Sequence, residues 1–142
     1  MLDFSRMHAV RRTSTAMLWL TCLLAIPIPF VNAASLQQEA VSYRAQGYEA
    51  QQRGDKAGAL AFYRKAAALD PSYPAPHNDV GVLLEEQGRF DEAERLYLQA
   101  LTLNPSYAEA HANLAMLYER MGQKEQAIVH WLKRYELGDP HD

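Results

Sequence analysis

Apolar residues in the middle of the chain recur with a helical period, and that recurrence is itself repeated. His77, Val80, Gly81 and Leu84 fall at i, i+3, i+4 and i+7, the spacing of one helix face. Gly88 follows, where a glycine accepts the positive φ that often ends a helix. Asp91 is placed to cap a second helix by accepting its free N–H groups. Ala93, Leu96, Tyr97, Ala100 and Leu101 then form that helix's apolar stripe. Pro105 cannot continue it, and turns Asn104 away from helical dihedrals.

The pattern returns at an offset of 34 residues. Leu69-Asp70-Pro71-Ser72-Tyr73 matches Leu103-Asn104-Pro105-Ser106-Tyr107 at four of five places. The same offset relates Gly54, Gly88 and Gly122, then Ala59, Ala93 and Ala127, and pairs His77 with His111. These signals predict six helices, near 36–52, 55–69, 74–87, 91–103, 108–121 and 124–137. A helix pair alone leaves one apolar side uncovered, so the pairs must stack. Gly81 and Ala93 are predicted where the paired helices approach closely, with Tyr97 and Trp131 filling the space between units.

The chain resembles the tetratricopeptide-repeat family, whose unit carries a small residue at position 8, Ala at 20, an aromatic at 24, a small residue at 27 and Pro at 32. Gly81, Ala93, Tyr97, Ala100 and Pro105 match in the unit 74–107, and Gly47, Ala59, Tyr63, Ala66 and Pro71 in the unit 40–73. The unit 108–141 matches with Ala115, Ala127 and Trp131, but has Arg134 at position 27 and its proline one place late, at Pro140. Gln46 and Ala50 replace larger apolar residues in the first unit. The resemblance implies an all-α solenoid of three antiparallel helix pairs, wound as a right-handed superhelix.

It also implies a concave groove lined by the first helix of each unit. The matching positions are Val41, Arg44, Tyr48, Gln51 and Gln52, then Ala75, Asn78, Val82, Glu85 and Glu86, then Glu109, Ala112, Met116, Glu119 and Arg120. Tyr48, Val82 and Met116 put apolar surface on a face free to be polar, which marks a contact site for a protein or peptide rather than a bare spacer. Family members that grip C-terminal carboxylates have a basic, Asn-rich clamp. Here the matching places hold Arg44, Tyr48, Asp79, Glu109 and Asn113, and the two acids oppose carboxylate capture.

The N-terminus changes the picture of where the array works. Arg6, Arg11 and Arg12 precede an uncharged run from Ala16 to Val31, and Val31-Asn32-Ala33 offers small residues before Ala34. That order is that of a secretory signal peptide, residues 1–33, cleaved after Ala33. The alternative is a retained anchor, which would tie the chain to a membrane. The run of 16 residues is shorter than the roughly 20 a spanning helix needs, and Pro27 and Pro29 interrupt it. Arg11-Arg12 lacks apolar residues just after the pair for a twin-arginine signal, and Cys22 sits mid-run behind Thr21, a poor context for lipidation. The expected location is periplasmic or extracellular.

Removing residues 1–33, with three arginines and one aspartate, leaves 11 basic and 16 acidic residues, net −5. An acidic surface excludes a nucleic-acid footprint. The only cysteine, Cys22, goes with the signal, so no disulfide or thiolate chemistry is expected beyond it.

No catalytic set, metal or cofactor is expected. His77 and His111 occupy position 4, where a large packing residue is usual, and read as half-buried core histidines. His130 and His141 have no ligand partner at helical or hairpin spacing. Glu85 and Glu86 diverge as helix neighbours, and Asp91, Glu92 and Glu94 lie in a first turn where the helix dipole favours them; solvated faces and helix starts account for both groups. No phosphate loop or nucleophile motif is present, so the chain does not read as an enzyme.

At the C-terminal end, Gly138-Asp139-Pro140-His141-Asp142 cannot form the covering helix that ends such arrays. Ile128, Trp131, Leu132 and Tyr135 are therefore expected to leave an apolar strip, serving as a homo-oligomer contact or second partner site. The expected function is an exported scaffold that binds a peptide or helix in its groove and assists assembly of a bacterial envelope complex. The alternative is a self-assembling module with no separate ligand.

Overall fold

The computed structural model describes residues 32–138. The signal-like segment up to Val31 and the tail holding Pro140 and His141 lie outside the described residues. Within them are six α-helices and no strand: α1 (Ala33–Gln52), α2 (Lys56–Leu69), α3 (Pro74–Glu86), α4 (Phe90–Leu103), α5 (Ala108–Arg120) and α6 (Lys124–Glu136). α1 packs on α2, α3 on α4 and α5 on α6, and successive pairs adjoin through α2–α3, α4–α5 and α3–α5. The expected all-α repeat solenoid is what forms.

α1 begins earlier than its pattern predicts, because the Asn32 side chain accepts the Ala34 N–H at 3.2 Å and starts the helix there. The turn after α3 closes at Gly88, φ +76°, with the Gly88 N–H bonded to the Glu85 carbonyl and the Arg89 N–H to that of Leu84. Gly54 and Gly122 close the other two turns with the same pair of bonds. This geometry leaves Arg89 as the residue before α4, so Asp91 lies inside the first turn and caps nothing. The expected cap there is corrected. The side chain that does cap a second helix is Asp55, which accepts the Gly58 N–H at 2.8 Å.

The core runs along the interior of all three pairs: Ala59, Ala93 and Ala127, the rings of Tyr63 and Tyr97, and Leu83, Leu114 and Leu117 are all buried. Tyr97 is also placed differently from the expectation. Its ring stands over Gly81 of its own pair, and an added Cβ there would lie 2.6 Å from Tyr97 Cε1. The glycine leaves room for an aromatic ring of its own unit. Gly47 sits under Tyr63 in the same way.

Arg134, at the family's small position, is half-buried and donates to the Gly138 carbonyl at 2.6 Å, just past the C-terminal end of α6.

Candidate functional site

The first helices α1, α3 and α5 carry a polar ladder that repeats from unit to unit. Arg44 Nε donates to Asp79 Oδ2 at 2.6 Å, joining α1 to α3. One unit on, Asn113 Nδ2 donates to Asn78 Oδ1 at 2.8 Å, joining α3 to α5. Arg120 reaches Glu85 at 3.2 Å across the same boundary, and Lys56 reaches Glu86 at 2.8 Å across the earlier one. A second ladder works inside each unit. Tyr63 donates to Gln51, Tyr97 to Glu85 and Trp131 to Glu119, at 2.8, 2.9 and 2.9 Å, always between residues twelve apart.

The ladders divide the expected groove residues into two kinds. Arg44, Asn78, Glu85 and Arg120 hold adjacent units together, Gln51 and Glu119 orient the aromatic rings, and Ala75 and Asn78 are buried. Val41, Tyr48, Gln52, Glu109 and Met116 remain exposed, with Val82 and Ala112 half-buried between them. Tyr48 is 60% exposed and Met116 41%. At the first-unit end a cleft of about 330 Å³ opens among Val41, Arg44, Ala45, Tyr48 and Tyr73.

In the Arg44–Asp79 pair the carboxylate is largely desolvated and the guanidinium is 38% exposed, and both groups respond. Burial raises the Asp79 carboxyl above its ordinary value, and Arg44 offsets only part of this. Burial alone would lower Arg44, but the hydrogen bond and charge of Asp79 outweigh it and hold the guanidinium charged. Tyr107, beside the pair and also near Glu109, is pushed up by burial and by those carboxylates. Arg44 is thus occupied, and cannot serve as the basic half of a carboxylate clamp.

One sequence reading is corrected here. Glu85 is not on a solvated face: its side chain is 11% exposed and bound to both Tyr97 and Arg120. Glu94 likewise accepts the Tyr118 hydroxyl at 2.6 Å, between α5 and α4. His130 does acquire a partner, because folding brings its Nδ1 to 2.9 Å from His111 Nδ1, with Tyr118 tilted against its ring. His111 Nε2 faces the Pro105 carbonyl at 3.1 Å; in the neutral ring that nitrogen carries the hydrogen, leaving Nδ1 to accept from His130. No third His, Cys, Asp or Glu joins them as a metal-ligand group among the described residues. His77 is half-buried, and burial lowers its pKa although the Pro71 carbonyl favours the charged form. It lines a cleft of about 540 Å³ with Arg64, Leu84, Glu92, Arg95 and Leu96, which no sequence signal marked.

On α6, Ile128, Val129, Trp131, Leu132 and Tyr135 are all exposed, Leu132 by 58% and Tyr135 by 85%. Val129 joins the strip that the sequence marked. No helix among the described residues is long and apolar enough to cross a membrane.

Residues 50–99 match the profile described as tetratricopeptide repeat, and residues 81–122 that described as TPR repeat. The chain belongs to the tetratricopeptide-repeat family, and such repeats are in general protein-interaction modules rather than enzymes. No curated protein matches it in sequence. Among solved structures it is similar to the second TPR of Spaghetti (RPAP3) bound to the HSP90 peptide SRMEEVD. That match has 22% identity and a TM-score of 0.66, over 71% of this chain and 94% of that one. It is similar to the Arabidopsis OM64 TPR domain, with 16% identity and a TM-score of 0.68 over 75% of this chain and 88% of that one. A point mutant of MamA shares 30% identity at a TM-score of 0.60, over 75% of this chain and 80% of that one.

Proposed function

We propose that this protein is an exported scaffold that holds a peptide or helix of another protein along α1, α3 and α5, in assembling a bacterial envelope complex. The observation that carries the reading is the line of Tyr48, Val82 and Met116. They are equivalent positions of three successive units, Tyr48 and Met116 exposed and Val82 half-buried between them, while the polar residues around them are tied into ladders. An apolar line on a rigid, internally satisfied frame offers contact area with little ordering cost. That the related Spaghetti domain is seen with a peptide is consistent with this use. Capture of the native partner by wild-type protein, and its loss from a Tyr48→Ala, Val82→Ala, Met116→Ala variant that remains folded, tests the reading.

Export rests on the order of basic, apolar and small residues over positions 1–33. N-terminal sequencing of protein recovered from its host should begin at Ala34; a chain beginning at Met1 contradicts cleavage.

A second reading, self-assembly through α6, is favoured by the exposed strip Ile128, Val129, Leu132 and Tyr135. Its occupant is a second copy. Antiparallel two-fold pairing about Val129 sets Glu125 of one copy opposite Lys133 of the other, since each lies four residues from that centre. Light scattering should then show a dimer that Leu132→Glu converts to a folded monomer. A monomeric wild-type protein excludes the contact.

A further inference from the structure

The charge of the groove follows from which of its ions already have partners. Three bases stand on or beside it, and each is matched to an acid: Arg44 to Asp79, Lys56 to Glu86 and Arg120 to Glu85. Two carboxylates on the same face are left without a cation. Glu109, exposed near the start of α5, has no ion-pair partner among the described residues, and it acts electrostatically on Asp79 and Tyr107 at the Arg44 end of the ladder. Glu119, exposed ten residues further along α5, accepts a neutral N–H from Trp131 and has no ion-pair partner among the described residues. Both lie on α5 with Met116, so the apolar line ends between two unneutralised acids. At its other end the cleft beside Tyr48 and Tyr73 is apolar-walled, and its one ion, Arg44, is neutralised by Asp79.

From this arrangement we infer that the groove selects a cationic amphipathic peptide segment, with an apolar side chain in the cleft beside Tyr48 and lysine or arginine residues reaching Glu109 and Glu119. The inference rests on the groove reading above and adds the partner's chemistry. Acidic segments are disfavoured: nothing on the face supplies a free cation to them, and two free carboxylates meet them. The peptide SRMEEVD, seen with the Spaghetti domain, carries three acids against one arginine and serves as the opposing probe.

The test uses the full chain and three fluorescein-labelled synthetic peptides: a leucine–lysine amphipathic segment, its leucine–glutamate counterpart, and SRMEEVD. Fluorescence anisotropy at low and moderate salt should show binding of the lysine peptide that weakens as salt rises. Both acidic peptides should bind at least ten-fold less tightly. The Glu109→Gln, Glu119→Gln variant keeps the acceptor for Trp131 and should bind the lysine peptide about three- to ten-fold more weakly, the scale of two exposed ion pairs. Its salt dependence should be shallower.

Equal affinity for the acidic peptides, no binding of the lysine peptide, or an unchanged affinity in the double Gln variant overturns the inference. The Tyr48→Ala, Val82→Ala, Met116→Ala variant separates this from failure of the groove itself. If that variant loses the lysine peptide while the Gln variant does not, the groove stands and the charge preference falls. If it binds as wild type does, the site lies elsewhere. Circular dichroism confirms that both variants are folded.

Discussion

Gly81→Ala is the smallest change that probes how the repeat packs, because two effects of known sign oppose each other there. Alanine is favoured over glycine in a helix interior by about 1 kcal/mol, and Gly81 is mid-helix in α3. Against that, the new methyl would stand 2.6 Å from Tyr97 Cε1 and 2.9 Å from Cδ1, where carbon atoms normally rest at about 3.5–4.0 Å. Tyr97 is fully buried, so its ring cannot swing into solvent to make room. It must shift by about 1 Å within a closed core, at an overpacking cost of about 1–3 kcal/mol. The shift also strains the hydroxyl bond to Glu85, 2.9 Å long and made to a charged acceptor, worth about 1.5 kcal/mol or more. Packing and the hydrogen bond together exceed the propensity gain, and the variant should be destabilised by about 1–2 kcal/mol. For a domain of this size that lowers the melting midpoint by roughly 5–10 °C, measured by far-ultraviolet circular dichroism. Gly81→Leu should cost more. A Gly81→Ala protein as stable as wild type would refute the claim that the ring fills this space. Ala115, the residue at the equivalent position one unit on, supplies the contrast: Ala115→Gly should destabilise by about 1 kcal/mol through propensity.

Arg44→Ala leaves the Asp79 carboxylate unpaired in a largely desolvated place, and should cost about 1–3 kcal/mol at neutral pH, less than a fully buried pair because Arg44 is partly exposed. Asp79 in that variant is raised further above its unfolded value of 3.8, so its folded state takes up a proton first on acidification. Chemical denaturation should therefore show the variant's deficit shrinking from pH 7 toward about pH 5, and a constant deficit counters the argument. His130 has the opposite sign: burial, then the neighbouring His111, hold its folded pKa below 6.5. Its contribution is complete above that value and is lost as pH falls through the folded pKa, so thermal stability should drop on acidification below about pH 6.5. His130→Gln should flatten that slope in part, with His77, also lowered by burial, retaining the rest; an unchanged slope would remove His130 from the account.

The helices were legible because each end is written locally, in Gly88 and its equivalents or in prolines such as Pro105, and each face in a period of residues four or fewer apart. Asp91 has the chemistry of a cap but not its place, because the turn at Gly88 puts Arg89 at that position. Side-chain partners were not legible, because they join residues 12, 19 or 35 apart: Tyr97 with Glu85, His111 with His130, Arg44 with Asp79. Two of these distances nevertheless recur with the repeat. A polar residue at one place and another 35 further on, as in Arg44 and Asp79, Asn78 and Asn113, or Glu85 and Arg120, is a sequence signal for the inter-unit ladder. The His111–His130 contact recurs nowhere, since position 23 holds Phe62 and Leu96 in the other units. The expected groove was a list of equal positions. Packing sorts it into structural and accessible members, a distinction set by three-dimensional neighbours alone.

The most direct measurement of the central claim is quantitative capture of the native binding partner on immobilised full-length protein, wild type against the Tyr48→Ala, Val82→Ala, Met116→Ala variant. Tyr48 and Met116 are exposed while Val82 packs in part against the core, so the variant should stay folded with a midpoint lowered by several degrees. The account predicts that it loses at least nine-tenths of the captured partner. Undiminished capture by a normally folded variant would contradict a binding site on α1, α3 and α5.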